Sequence, residues 1–216
     1  SVLGSGPSLK KINLDNNENE IYLTTNSSYL ALKGKRPFIH LISDHGYLLK
    51  FLLFGLKYQP ELTIIVSFTS KKPIGLSGKI LNQVNNYLYR VKRKSPIVII
   101  NNHKLGVANN RDYLTQMADF KKSLNVQFNY SNSGHVIYTL GAMLLENQYI
   151  NKLKIYGIDA GEGGLVHFDG RKTSDNHSAF RDKNKKEMGD FFELCQSKFK
   201  HIKNYSYFKN NTDETT

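Results

Sequence analysis

The stretch that decides the fold is Val2-Leu3-Gly4-Ser5-Gly6-Pro7-Ser8-Leu9, an apolar pair running straight into a loop of glycine, serine and proline. Apolar residues on both faces of a short strand, followed at once by turn-forming residues, describe a strand covered by helices and ending in a tight loop. The two glycines let backbone amides come close to a ligand, and Ser8 can donate to a phosphate or cap the next turn. The loop is not a dinucleotide fingerprint, since the third glycine is missing and Pro7 stands inside it. It is not a Walker loop either, having no Gly-Lys-Ser/Thr. A plain Gly-Pro turn is the alternative use of the same residues.

Working outward, short β-branched runs alternate with longer amphipathic segments, the pattern of an α/β domain. Strands are expected at 2–3, 20–24, 38–42, 62–68, 97–100, 126–129, 153–156 and 201–205. Helices are expected at 47–56, 77–91, 111–123, 135–146 and 178–199, with Ser77, Asn110 and Ser178 as N-caps. The fold this predicts is α/β, a single mostly parallel sheet with helices on both faces. One stretch breaks the alternation. Residues 160–176 hold Gly161, Gly163, Gly164 and Gly170 and read as a lid. The lid follows a strand ending in Gly157-Ile158-Asp159, at the carboxyl edge where open α/β sheets bind ligands.

The 216 residues suit one domain, taken as 1–209, with 210–216 as an unstructured tail. Thirty Lys+Arg against eighteen Asp+Glu give +12, which points to acidic partners, although abundant Lys, Asn and Ile also suit a compositional bias. The 39% hydrophobic and 12% aromatic content excludes a disordered basic tail as the whole protein. The single cysteine, Cys195, excludes an internal disulfide framework and a cysteine-based zinc site, and a reducing compartment fits best. No apolar run approaches the roughly 20 residues that span a bilayer. The opening residues lack a signal-like pattern, so the expectation is a cytoplasmic protein, in host cytoplasm if phage-encoded.

Two further motifs carry chemistry. Asn132-Ser133-Gly134 stands between a strand and a helix, where small polar groups present N–H donors and a hydroxyl to an anion or sugar, or serve as an N-cap. Ile155-Tyr156-Gly157-Ile158-Asp159 ends a strand on an aspartate that could accept from sugar hydroxyls or cap the following turn.

Together, in this order, the three motifs resemble the bacterial sialyltransferases that decorate lipooligosaccharide, and a related group of Rossmann-like proteins that includes archaeal hydroxymethylpterin diphosphokinase-like proteins. That sialyltransferase family shows a Gly-x-Gly-Pro-Ser-Leu loop after its opening strand, a Ser-Gly helix start and a Gly-Ile-Asp strand end. The resemblance covers both ends of the chain well and residues 68–127 poorly. It implies a modified Rossmann-like domain of the GT-A-variant kind and a nucleotide-sugar-dependent, inverting glycosyltransferase without cofactor or metal. The absence of an Asp-x-Asp motif agrees.

By the same resemblance the donor site comprises Gly4, Ser5, Gly6, Pro7, Ser8, Asn26, Asn132, Ser133, Gly134 and Asp159. Asp44 replaces a family asparagine, and would suit a ribose or sugar hydroxyl better than a phosphate. The general base is His177, just before the last long helix, with His167 as its rival. A histidine suits deprotonation of an acceptor hydroxyl near neutral pH. The family's lid tyrosines are missing from 160–166, so Arg171, Lys172 and Arg181 are the candidates to meet leaving-group charge. This departure weakens CMP-sialic acid as the donor.

Basic clusters at 92–94, 183–186 and 198–203 lie near Tyr87, Tyr89, Tyr205, Tyr207 and Phe208, which suits contact with nucleic acid or an anionic membrane. Two acceptors follow, a glycan or a hydroxymethylated base in DNA of the phage-modification type. A pterin diphosphokinase-like enzyme using Asp44 and Asp159 for magnesium, and a non-catalytic basic nucleic-acid-binding domain, are the alternatives from other classes.

Overall fold

The computed structural model describes residues 1–14, 19–33, 37–42, 47, 50–51, 55, 58–67, 97–101, 133–159, 166–172 and 181–206. Seven strands form one sheet: β1 (Val2–Leu3), β2 (Tyr22–Thr25), β3 (Phe38–Ile42), β4 (Leu62–Ser67), β5 (Ile97–Asn101), β6 (Leu153–Tyr156) and β7 (Ile202–Asn204). Their spatial order is β5-β4-β3-β2-β1-β6-β7, and every neighbouring pair is parallel. Seven of the eight expected strands thus form one parallel sheet. The chain steps outward from β1 through β5, then returns to add β6 on the other side of β1. The reversal therefore falls between β1 and β6, whose carboxyl ends are where open α/β sheets form their ligand crevice.

Residue alternation sorts the strands between two cores. On one face Val2, Leu23, Leu41, Leu153, Ile155 and Ile202 meet α1 (Ser133–Glu146) and α2 (Arg181–Lys198). Tyr138 of α1 packs between Phe191 and Phe192 of α2, with ring centroids 5.3 and 4.2 Å away. On the other face Leu3, Tyr22, Phe38 and Ile42 pack with Leu9, Tyr29, Leu32 and Phe51. Two short 3-10 turns, Pro7–Lys11 and Ser28–Leu32, supply part of that second layer. Sequence periodicity does not signal turns this short. Pro7 starts the first because its fixed φ and missing N–H suit a first helical position.

His40 sits in the middle of β3 and is fully buried. Its ring lies edge-on to Tyr29 and tilted against Phe51, and Nδ1 is 2.8 Å from Thr24 Oγ1. Burial pushes its pKa down to about 3, so the ring is neutral.

The helix expected from 135 begins at Ser133. The expected strand at 126–129, the helices at 77–91 and 111–123, most of 47–56, and the tail lie outside the described residues. Among the described residues no helix is long and apolar enough to cross a membrane.

Candidate functional site

The β1 and β6 loops are stitched to each other at the crevice. The Gly4 N–H donates to the Tyr156 carbonyl and the Gly6 N–H to the Gly157 carbonyl, both at 2.7 Å. A Cβ at Gly4 would collide with the Gly157 backbone, and one at Gly6 with the Asp159 carboxylate. The glycines therefore allow two loops of the protein to touch. Gly157 itself has φ +67°, a conformation that favours glycine.

Asp159, 3% exposed, closes the arrangement. Its Oδ2 accepts the Ser8 backbone N–H at 2.8 Å, and its Oδ1 accepts the Ser8 hydroxyl at 2.5 Å. The carboxylate thus caps the Pro7–Lys11 turn from another loop, where negative charge meets exposed N–H groups. The structure brings Ser8 and Asp159 together and turns them on one another.

The end of β2 forms the next wall. Thr25 donates its N–H to Ser28 Oγ at 2.8 Å, and the Ser28 hydroxyl donates to the Leu3 carbonyl at 2.7 Å, tying β2 to β1. Asn26 follows with φ +52°, a left-handed conformation that asparagine tolerates better than most residues. That geometry directs its side chain across to α1, where Nδ2 donates to Ser133 Oγ at 2.8 Å. Ser133 accepts there, which leaves its own O–H available to donate. Asn26 Oδ1 and Thr25 Oγ1 are buried, and neither has a hydrogen-bond partner among the described residues. Beside them stands the N-terminus of a 14-residue helix whose first turn holds no acidic side chain. The first N–H groups of a helix have no partner within it, and together with the helix dipole they favour an anion.

Residues 166–172 fold over the β1 loop. Val166 and Lys172 form an antiparallel bridge, the His167 N–H donates to the Arg171 carbonyl at 2.7 Å, and Gly170 turns the chain at φ +86°. The Phe168 N–H donates to the Ser5 carbonyl at 3.1 Å, while its ring packs beside the second core. His167 Nδ1 lies 3.2 Å from the Ser5 carbonyl oxygen and 3.3 Å from Ser5 Oγ. A carbonyl can only accept, so that contact needs the proton on Nδ1 and leaves the lone pair on Nε2.

Asp169 accepts from Arg171 Nε at 2.7 Å and from the Arg171 backbone N–H at 3.3 Å. The guanidinium also lies 4.0 Å over the Tyr47 ring. Burial raises the Asp169 pKa, but the hydrogen bonds from the Arg171 side chain and backbone, with the Arg171 charge, outweigh it and hold the carboxyl below its usual range. Arg171 is thus committed to the turn, whereas Lys172 is exposed.

Of the expected site residues, the crevice brings together Gly4, Ser5, Gly6, Pro7, Ser8, Asp159 and His167. Asn26, Ser133 and Gly134 meet at the adjoining β2–α1 corner. Arg181 is the first residue of α2. Its side chain lies outside the described residues, as do His177, Asp44 and Asn132. Sequence reading missed Thr25 and the docking of Phe168. Thr25 was signalled only by standing at a strand end beside Asn26, and nothing in the sequence announces Phe168. Compared with known proteins, the chain matches no family model, no curated protein and no solved structure.

Proposed function

We propose that the chain is a metal-independent glycosyltransferase with a Rossmann-like domain, moving a sugar from a nucleotide-sugar donor to an acceptor hydroxyl with inversion. The observation that carries the reading is the β2–α1 corner, where two buried oxygens without described partners, Thr25 Oγ1 and Asn26 Oδ1, adjoin the N-terminus of α1. Buried polar atoms are ordinarily paired, so unpaired acceptors beside a helix N-terminus suit a ligand that carries hydroxyls and a phosphate. The strand order supports a site next to this corner, since ligands of open α/β sheets bind where that order reverses, here between β1 and β6.

In this reading the donor phosphates lie against the first N–H groups of α1 and the Ser133 hydroxyl, while Asn26 and Thr25 accept from donor hydroxyls. Ser8 and Asp159 hold the loop in shape. The proton of the acceptor hydroxyl passes to His167 Nε2 as its oxygen bonds to the anomeric carbon. The bond from that carbon to the phosphate oxygen breaks, and its electron pair leaves with the nucleotide. The Ser5 carbonyl keeps His167 in the tautomer that can take the proton. Residues 166–172, lying over the β1 loop, limit water at the reacting centre. The acceptor is a glycan or a hydroxymethylated base in DNA, and the setting is cytoplasmic.

A thermal-shift panel of nucleotides and nucleotide sugars, with and without EDTA, tests the reading, because a ligand that binds only the folded state raises the melting temperature. Stabilisation by one nucleotide class, lost in Asn26→Ala and Ser133→Ala and indifferent to EDTA, is expected. No shift with any nucleotide sinks the transferase reading. For the base, His167→Ala is expected to lower turnover on the order of a hundredfold with donor-induced stabilisation kept. If only His177→Ala does so, the base is His177.

A further inference from the structure

The sheet edge beyond the crevice carries a pattern that sugar transfer does not use. Strands β6 and β7 present the same triplet form, Lys154-Ile155-Tyr156 and Lys203-Asn204-Tyr205. Their parallel register sets Lys154 opposite Lys203. The Tyr205 N–H donates to the Ile155 carbonyl at 2.8 Å, which carries the pairing one residue past β7. Leu153, Ile155 and Ile202 point into the core under the helices. By alternation both lysines and both tyrosines share the opposite face.

On that face the two tyrosine rings stack, with centroids 4.9 Å apart and planes 12° from parallel. Tyr156 rests against the second core, while Tyr205 is 47% exposed. The residues leading into the strands, Lys152, Lys200 and His201, are exposed as well. Residues 152–156 and 200–205 together hold four lysines, one histidine and no acid. Among the described residues the acid that reaches them is Glu20, 3.5 Å from Lys154 Nζ.

We infer that the β6–β7 face binds single-stranded nucleic acid, with a base stacked on Tyr205 and phosphates met by Lys203 and its neighbouring lysines. An aromatic ring held by a ring beneath it is a preorganised platform that loses little side-chain freedom on stacking a base. Lysines beside such a ring follow a phosphate backbone, the combination that single-strand binders use. A duplex keeps its base faces inside its own stack and cannot use Tyr205 in this way. A lipid surface would draw on charge and inserted apolar groups, and not on ring stacking. The inference stands apart from the transferase reading, though Tyr156 joins the face to the crevice through its carbonyl, which accepts from Gly4.

Anisotropy titration of a short labelled oligothymidine at several salt concentrations tests it on the full chain. Tyr205→Ala is expected to weaken binding about tenfold or more, the loss of one stacked base, while Tyr205→Phe stays near wild type. Lys203→Ala is expected to lower the slope of log affinity against log salt by about 0.7, one phosphate contact on a single strand. Melting temperatures of the variants report folding separately, and the Lys203→Ala slope tests the inference should Tyr205→Ala fold poorly. The inference is overturned if wild type does not bind the oligonucleotide, or if folded Tyr205→Ala binds it as wild type does. It is equally overturned by duplex binding of the same strength, or by preferential capture of phosphatidylserine vesicles.

Discussion

Asp159→Ala removes both acceptors of the Ser8 clamp from a site that is 3% exposed. The backbone N–H bond at 2.8 Å and the hydroxyl bond at 2.5 Å go to a carboxylate, and hydrogen bonds to charged groups contribute about 1.5–3 kcal/mol each. Losing both, with the Ser8 N–H left buried and unpaired, gives an expected destabilisation of about 3–5 kcal/mol. In a chain of this size that lowers the melting temperature by roughly 6–20 °C. Ser8→Ala keeps the backbone bond and is expected to cost about 1.5–3 kcal/mol. The two side chains act on each other, so the double variant should fall short of the sum by about 1–2 kcal/mol. Urea unfolding followed by circular dichroism gives all three values. If Asp159→Ala lies within about 0.5 kcal/mol of wild type, the size expected of an exposed position, or if the two effects simply add, Asp159 is not the clamp described and its carboxylate is open to a ligand.

His40 should make stability depend on pH. Its folded pKa of about 3 lies below the ordinary 6.5, so the unfolded chain binds the extra proton, and stability present above pH 6.5 is lost as pH falls toward 3. The loss between pH 7 and pH 5 works out at about 2 kcal/mol, measured as the excess of wild type over His40→Phe in urea unfolding. Equal pH dependence in the two proteins would contradict a neutral, buried ring. Gly141→Ala would improve helix propensity by about 1 kcal/mol in an exposed helix. Here the new Cβ lies 2.8 Å from Val2 Cγ2 and 3.0 Å from Leu153 Cδ1, so a net destabilisation of about 1–3 kcal/mol is expected, and a stabilised variant would show that α1 sits farther from the sheet. Asp169→Asn should loosen the 166–172 turn and speed hydrogen exchange at the Phe168 amide. In wild type the same loosening should appear as pH falls through the lowered Asp169 pKa, and unchanged exchange in both would show that the Arg171 pair does not hold the turn.

Much of the sheet was legible because its strands are short apolar runs, and the central ones, β2 and β3, are buried at nearly every residue. Strand β3 spans Phe38–Ile42 and β6 spans Leu153–Tyr156, the limits expected from the residues alone. Strand β7 came out shorter than expected, as Ile202–Asn204. The loop after β1 was legible as a site because glycine, proline and serine directly after a strand are visible in a sequence. What those glycines approach was not visible, and it is the partner loop of β6.

Burial is a property of one residue at a time, and hydrophobic periodicity carries it. The sequence by itself therefore determined the α/β class, the strands within the described residues, the helix that starts near Ser133 and the loops that could bear chemistry. Which loops meet depends on the order in which strands are laid down, and that order follows from crossovers packing the sheet's two faces. Only the tertiary structure set Asp159 on Ser8 across 151 positions, Asn26 on Ser133 across 107, and His167 on Ser5 across 162. Those three contacts define the crevice, because placing β6 beside β1 brings the far half of the chain onto its opening loop.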